Sequence, residues 1–289
     1  MTDKKTLTLD VPGAVLTYDV REASARTDEP PLVMIGLPMG AEGFTTLASH
    51  FTDRTVVTYD PRGVERSTRE PSTDLPGVPV HADDVHRIIE AVGGPVDLMA
   101  SSGGAVVALE LAAAHPEDVR TVVAHEPPLA AVLPDREAMT AAMQGIHDAY
   151  QAKGFGAGMA RFIAVIMATG ELTEDFVNQP DPDPAMFGLP TEDDGSRDDL
   201  MLGVNMLTLP PYEPSFETLK AGSPRVLIAV GEDTGEEMTG RAARAAAARL
   251  DADPVVFPGG HGGFGGGEYG QPADKPVEFA ARLREVLAG

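Results

Sequence analysis

The chain has 289 residues with 43% hydrophobic content, enough for one large domain with an insertion or for two domains. Its formal net charge of -23, from 45 acidic and 22 basic residues, repels polynucleotides and anionic lipid surfaces, so we expect no nucleic acid and no membrane as partner. The absence of cysteine excludes disulfides, thiolate metal sites and a catalytic thiol, so a covalent nucleophile would have to be an oxygen or an amine.

The N-terminal residues lead directly into alternating polar and apolar residues, without the apolar region of a signal peptide. No apolar run in the sequence approaches the length of a membrane span. These features predict a soluble, cytoplasmic protein.

Strand-like and helix-like segments alternate from the start of the chain, which is typical of the α/β class with a mainly parallel sheet flanked by helices. Alternating patterns at 6–9 and 14–18 predict an opening hairpin. Apolar runs then predict buried strands, and the periodic stretches between them predict helices. The predicted strands are 32–35, 56–59, 96–99 and 121–124, and the predicted helices are 81–92 and 105–114.

The pattern changes between about Pro134 and about Thr218, where the sequence is first Met-rich and helical and then rich in Pro, Asp and Gly. Strand and helix patterns resume after this insertion, at 225–230, 236–250, 255–257 and 276–287. We therefore predict a discontinuous core of residues 1–133 and 219–289, interrupted by an insertion at 134–218.

The sequence ASSGG lies between a predicted buried strand and a predicted helix. A strand that turns sharply into a helix strains the residue at the bend, and the positions two before and two after it must be small because neighbouring backbone passes close by. Ser102 meets this requirement with Ala100 and Gly104, whereas Ser101 would place Met99 in a tight position. The pattern predicts a nucleophile elbow at Ser102. The alternative is an ordinary Gly/Ser-rich loop between strand and helix, such as one that cradles a phosphate at the helix N-terminus.

A serine hydroxyl needs a neighbouring base and a third group that fixes the tautomer of that base. His261 directly follows the last predicted strand, and glycines on both sides let its loop carry an imidazole over the sheet edge. We predict His261 as this base. Among the other histidines, His125 stands at a strand end, from which it could line the pocket.

Two carboxylates are candidates for the third group, the acid that fixes the tautomer of the base. Asp233 follows the first strand after the insertion, which is the usual place for the orienting acid. Glu126 ends the strand before the insertion and could reach the base from the other side. The sequence leaves both residues open, with a slight preference for Asp233.

An oxyanion formed during acyl transfer needs two hydrogen-bond donors. The backbone NH of Gly103, directly after the predicted nucleophile, is one candidate. The loop after the third strand is placed to supply the other, and Leu37 is the expected donor because Pro38 has no NH.

Three motifs resemble those of the α/β-hydrolase superfamily, in particular of single-domain, esterase-like members with a helical cap. They are the oxyanion loop at 35–38, the turn at 59–67 with the sequence YDPRGVERS, and the elbow at 100–104. The order of the predicted nucleophile and base along the chain is also that of the superfamily. The resemblance implies the α/β-hydrolase fold, and it implies that Asp60 and Arg62 brace the turn.

The chain departs from the family pattern at three positions: Ile35 replaces the histidine of the oxyanion loop, Glu65 replaces the second glycine of the turn, and Thr234 stands where the acid is most often found. Because of the last departure, Glu126 remains a candidate for the acid, since some members resembling dehalogenases carry their acid after the strand that follows the elbow. A serine nucleophile argues against dehalogenase and epoxide hydrolase activity, because those reactions need a carboxylate.

The same resemblance identifies the insertion 134–218 as the helical cap. Its methionine and aromatic side chains would give an adaptable apolar lining for a bulky substrate. The residues that we expect to contact the substrate are Met39, His125, Met143, Phe162 and Met206.

Together these features predict a serine hydrolase, without cofactor or metal, that cleaves a carboxylic ester, lactone or thioester with a hydrophobic portion through an acyl-enzyme on Ser102. The partner would be a small hydrophobic ester-like molecule, and the protein would be a monomer or a homodimer. Two other classes remain open. One is a non-hydrolytic enzyme on the same scaffold, such as a lyase, acyltransferase, perhydrolase or cyclase of a biosynthetic pathway, and the other is a non-catalytic ligand-binding module.

Overall fold

The computed structural model of the chain describes residues 4–71 and 76–289. Residues 1–3 and 72–75, which belong to the predicted core segment 1–133, lie outside the described residues.

Within the described ranges, nine strands form one sheet at the centre of the fold. Their bounds are β1 Lys4–Val11, β2 Ala14–Arg21, β3 Leu32–Ile35, β4 Val56–Asp60, β5 Thr68–Arg69, β6 Val96–Ser101, β7 Val119–His125, β8 Arg225–Gly231 and β9 Val255–Phe257. β1 and β2 form an antiparallel hairpin, and β2 pairs antiparallel with β4 and with the short β5. From β4 the order is β4-β3-β6-β7-β8-β9, all parallel. The predicted mainly parallel sheet with an opening hairpin is therefore confirmed.

Helices follow most of the parallel strands. Their bounds are α1 Thr45–Ser49, α2 Val78–Val92, α3 Gly103–Ala114, α4 Arg136–Lys153, α5 Phe155–Ile166, α6 Glu174–Val177, α7 Met206–Thr208, α8 Phe216–Lys220, α9 Met238–Arg249 and α10 Pro276–Ala288, with a π-helical turn at Met201–Asn205 directly before α7. In the part of the chain that the structure describes, no helix combines the length and the apolar character needed to cross a bilayer.

Both faces of the sheet are buried, as the alternating side chains of β3 show. Leu32 and Met34 pack in a hydrophobic cluster with α1 and α10, whereas Val33 and Ile35 pack in a second cluster with α2, α3 and α9. Successive residues of a strand point to opposite faces, so a strand that is apolar at every position needs a helical layer on each side. This three-layer arrangement therefore explains why the strand segments of the sequence are apolar at consecutive positions.

The turn after β4 is held by ionic hydrogen bonds. The Asp60 carboxylate accepts a hydrogen bond from the Ala41 NH at 2.8 Å and another from Nε of Arg66 at 2.6 Å. The Arg62 guanidinium donates to both carboxylate oxygens of Asp84 in α2, at 2.7 and 2.6 Å. These contacts confirm that Asp60 and Arg62 brace the turn.

Between β7 and β8 the chain leaves the sheet and forms α4 to α8. Ile146 and Tyr150 of α4 pack with Leu202 in a hydrophobic cluster that also contains Met238 of α9. The insertion thus rests on a helix of the α/β core, next to the carboxyl ends of the strands. Its exact limits, 134–218, stay a prediction.

Candidate active site

Ser102 occupies the sharp turn between β6 and α3. Its backbone has φ 56° and ψ -128°, and its φ lies in the left-handed region, which residues other than glycine rarely adopt. The NH of Ser102 donates a hydrogen bond to the carbonyl oxygen of His125 at 3.0 Å, which ties the bend to the end of β7. A strained serine between a buried strand and a helix has the geometry of a nucleophile elbow.

The residues after Ser102 have no space for larger side chains. A Cβ on Gly104 would lie 2.6 Å from the carbonyl oxygen of Ile35, and a Cβ on Gly103 would lie 2.5 Å from that of Leu37. The requirement for small residues, inferred from the sequence, therefore comes from the end of β3 and the loop that follows it, which pass directly against the elbow. The same close approach brings Leu37 and Gly103, the two predicted oxyanion donors, next to each other.

His261 lies in the loop after β9, and its Nδ1 is 2.7 Å from Oε2 of Glu126. The His261 side chain is 40% exposed, whereas the Glu126 side chain is fully buried. Glu126 directly follows β7, has a positive φ of 50°, and donates its NH to the carbonyl oxygen of Ala229 in β8. A buried acid on Nδ1 fixes the imidazole tautomer that leaves Nε2 as the basic nitrogen.

Further donors surround the carboxylate of Glu126. Its Oε1 accepts hydrogen bonds from the Gly231 NH at 2.8 Å and from the Thr234 hydroxyl, and its Oε2 accepts one from the Thr239 hydroxyl at 2.9 Å. Burial acts to raise the pKa of Glu126, but the hydrogen bond and charge of His261, together with the hydroxyl of Thr234, outweigh burial and lower this pKa to about 2. Glu126 is therefore ionised at neutral pH.

The two threonine donors were not identified from the sequence. Thr234 did carry a signal, because it stands where the family acid is most often found. In the structure the Thr234 hydroxyl donates a hydrogen bond to Glu126, the acid that directly follows β7.

Asp233 is not part of this arrangement. Its side chain is 58% exposed and its Oδ2 lies 2.8 Å from Nζ of Lys275. Thr234, only 3% exposed, faces inward from the same turn. Because the turn after β8 directs Thr234 toward Glu126 and Asp233 toward solvent, the slight preference for Asp233 is not supported by the geometry.

Ser102 and His261 line one cavity of about 250 Å³. The lining is mostly apolar and comes from both the α/β core and the insertion. Of the residues predicted to contact the oxyanion or the substrate, those that line it are Leu37, Gly103, Met143, Phe162 and Met206.

Two predicted substrate contacts, Met39 and His125, do not line this cavity. Met39 packs against the hydrophobic cluster of α1 and α10. His125 is fully buried, and the rings of Phe257, Phe264 and Phe279 surround it with centroids 6.1, 6.3 and 5.3 Å away. Burial lowers the pKa of His125 to about 4, so its imidazole is neutral. The alternation of side chains along β7 turns this histidine into the core instead of the cavity.

Among the described residues, one group of side chains offers several atoms that could ligate a metal ion: His86, His115 and Asp118, with their ligand atoms within 4.8 Å of one another. Nδ1 of His86 is 2.6 Å from Oδ2 of Asp118, and the two imidazoles stack with centroids 3.9 Å apart. None of the three residues lines the cavity of Ser102. This group is therefore separate from the candidate active site.

The chain matches a known family over most of its length. Residues 30–233 match the α/β hydrolase fold family. The chain is also 30% identical over 290 residues to the uncharacterized hydrolase YraK of Bacillus subtilis (strain 168), a similarity that covers 97% of this chain and 95% of that relative.

Solved structures with the same fold cover nearly the whole chain. MGS-M2, an α/β hydrolase from a Medee basin deep-sea metagenome library, superposes with a TM-score of 0.68 at 15% identity and covers 98% of both chains. A thermophilic esterase from Thermogutta terrifontis gives a TM-score of 0.65 at 17% identity, covering 99% of this chain and 98% of the esterase. The esterase EaEST from Exiguobacterium antarcticum gives 0.64 at 17% identity, covering 96% and 97%. At these identities the likeness establishes the fold.

Proposed function

Since this chain belongs to the α/β-hydrolase family, we propose that it is a serine hydrolase that cleaves a carboxylic ester, lactone or thioester through an acyl-enzyme on Ser102. The observation that carries the proposal is that a strained serine and a histidine held by a buried carboxylate line the same apolar cavity. This combination supplies a nucleophile, a base with a fixed tautomer and an apolar site for the substrate.

In the first half of the reaction, Nε2 of His261 takes the proton of the Ser102 hydroxyl while Oγ attacks the carbonyl carbon of the substrate. The carbonyl electron pair moves onto oxygen, and the NH groups of Leu37 and Gly103 stabilise the oxyanion. When the oxyanion collapses, the bond to the leaving alcohol or thiol breaks, and His261 donates its proton to that group. Glu126 holds Nδ1–H and stabilises the imidazolium that forms transiently.

In the second half, water replaces serine as the nucleophile. His261 removes a proton from water, the hydroxide oxygen attacks the acyl carbon, and the bond to Oγ of Ser102 breaks as the proton returns to the serine. The products are the free acid and the regenerated enzyme, so no co-reactant besides water is consumed.

The cavity also bears on the size of the substrate. At about 250 Å³ it lies just below the range of about 300–1,000 Å³ that is usual for ligand pockets. Its apolar walls favour a hydrophobic acyl or alcohol portion. We therefore propose short hydrophobic esters as substrates, in place of the bulky substrate expected from the sequence.

The test is hydrolysis of p-nitrophenyl butyrate by the wild-type protein and by Ser102→Ala. Removal of the nucleophile should lower kcat by roughly 10⁴-fold or more, as triad knockouts do in other serine hydrolases. Ser101→Ala is the matched control, because Ser101 is a neighbouring serine buried in β6. We expect Ser101→Ala to keep most of the activity and to react with a fluorophosphonate probe, and Ser102→Ala to do neither.

Retention of activity by Ser102→Ala would refute the acyl-enzyme. A wild-type protein that neither reacts with the fluorophosphonate nor hydrolyses activated esters would refute the hydrolase function itself.

A further inference from the structure

The two oxygens of the Glu126 carboxylate have different partners. Oε1 accepts hydrogen bonds from the Gly231 NH at 2.8 Å and from the Thr234 hydroxyl. Oε2 lies 2.7 Å from Nδ1 of His261 and also accepts a hydrogen bond from the Thr239 hydroxyl at 2.9 Å. An ionised carboxylate offers about four lone-pair sites, so these donors occupy all of them. Thr239 is therefore the donor that shares one oxygen with the proposed base.

Thr239 stands in the first turn of α9 and lines the same cavity as Ser102 and His261. The helix itself does not need the hydroxyl, because valine has nearly the same shape and a similar helix propensity. The cavity wall does not need it either, since most of the lining is apolar. The contact that the hydroxyl makes within the described chain is the hydrogen bond to Oε2 of Glu126, so its effect has to be sought there.

The Thr239 hydroxyl reduces the pull of Glu126 on the histidine. It directs the positive end of its O–H dipole at Oε2, so it offsets part of the negative charge that attracts the imidazolium of His261. The imidazolium then gives up its proton more readily. A general base works best when its pKa lies near the working pH, because it is then unprotonated before the attack and can still donate to the leaving group.

Two other titratable groups face the pair of Glu126 and His261. His125 lies in the core at the end of β7, and burial lowers its pKa to about 4. Glu237 directly precedes α9 and lines the cavity, and burial together with the charge of Glu126 raises its pKa. Both groups stay in place when Thr239 is replaced, so a change in the titration of His261 reports the loss of the hydroxyl.

We propose that Thr239 is a positioning residue that acts on His261 through Glu126: its hydroxyl occupies the second lone pair of Oε2 and so limits how strongly the acid holds a proton on the imidazole. The inference rests on the proposed hydrolase function and deepens it, because it gives a residue outside the triad the task of keeping the base unprotonated at neutral pH. In the alternative, a purely structural role, the hydroxyl only satisfies a buried charge, and only stability depends on it.

The test measures kcat/KM for p-nitrophenyl butyrate against pH in the wild type and in Thr239→Val. Loss of the hydroxyl should move the acidic limb, where His261 becomes protonated, upward by about 0.5–1 pH unit. The ratio of the activity at low pH to that on the plateau should therefore fall by about three- to tenfold. A structural role would lower the activity by the same factor at every pH and leave the limb in place.

Three further variants control the experiment. Thr239→Ser keeps the hydroxyl and should restore the wild-type limb. Thr239→Ala removes the hydroxyl by truncation and should give the same shift as valine, which keeps the test valid if the valine variant does not fold. Thr234→Val removes a donor of the same kind from Oε1, so it should move the limb less than half as far.

An NMR titration of the His261 Cε1–H resonance reads the pKa of the histidine without any turnover and separates this inference from the proposed function. If the wild type hydrolyses no ester while the pKa of His261 still rises in Thr239→Val, the hydrolase function fails and the role of Thr239 stands. If this pKa does not rise, or rises as much in Thr234→Val, the hydroxyl is structural and the inference is overturned.

Discussion

The ends of β7 and β8 are neighbours in the parallel sheet, and each is followed by an acidic residue within reach of the loop that carries His261. Glu126, after β7, is fully buried, and backbone and hydroxyl donors of β8, the following turn and α9 point at its carboxylate. Asp233, after β8, is 58% exposed and forms an ion pair with Lys275. In this chain the acid that contacts the histidine is the one that hydrogen-bond donors enclose, whereas the acid at the usual strand end faces solvent.

The largest expected effect separates the two acids directly. Glu126→Gln keeps the shape of the side chain but removes the charge and offers an amide that favours the wrong histidine tautomer. We expect kcat/KM for p-nitrophenyl butyrate to fall by about 10²–10⁴-fold, the range seen when a triad acid is neutralised. Asp233→Asn should stay within about twofold of the wild type, since an exposed ion pair contributes little. A loss in Asp233→Asn as large as that in Glu126→Gln would reverse the assignment.

The second prediction concerns stability against pH. The pKa of Glu126 in the folded protein, about 2, lies below its ordinary value of 4.5, so between these values the folded protein binds fewer protons than the unfolded chain. The stabilisation from the ionised Glu126 is complete above pH 4.5 and is lost as the pH falls toward 2. Its size is on the order of 3 kcal/mol, from about 1.4 kcal/mol for each unit of pKa difference.

Urea denaturation of the wild type and of Glu126→Gln at pH 6 and at pH 3 measures this effect. The other carboxyl groups of the chain are common to both proteins, so they cancel in the difference. The advantage of the wild type in free energy of unfolding should shrink as the pH falls. A difference that stays constant over this range would show that the charge of Glu126 does not stabilise the fold.

The parts of the fold and site that depend on local sequence were predictable. Buried parallel strands appear as short apolar runs, and the elbow needs small residues within two positions of Ser102, so both leave a continuous signal in the sequence. His261 was also predictable from local sequence, because it directly follows the last strand and has glycines on both sides.

The remaining errors concern the side to which a residue points. Whether the turn after β8 directs Asp233 or Thr234 inward depends on its path from Gly231, and the sequence offers a polar side chain at both positions. The face on which His125 lies is set by the register of β7 against its neighbours.

The third prediction has the smallest expected effect and moves the acid from one strand end to the other. Thr234 faces Glu126 and stands where the family acid is most often found, so Thr234→Asp in the background of Glu126→Gln places a carboxylate beside the former one. We expect the double variant to regain about tenfold in kcat/KM over Glu126→Gln, because a charged acceptor again lies near Nδ1 of His261.

Thr234→Asp alone is the informative control for this relocation. It would bury a second carboxylate against Glu126, and the repulsion between like charges should lower the melting temperature and raise the pKa of one of the two acids. The two substitutions should therefore rescue each other, with a double variant that is more stable than Thr234→Asp alone. Additive losses in both stability and activity would mean that the end of β8 cannot present an acid to His261, and that enclosure at the end of β7 is the only arrangement this backbone supports.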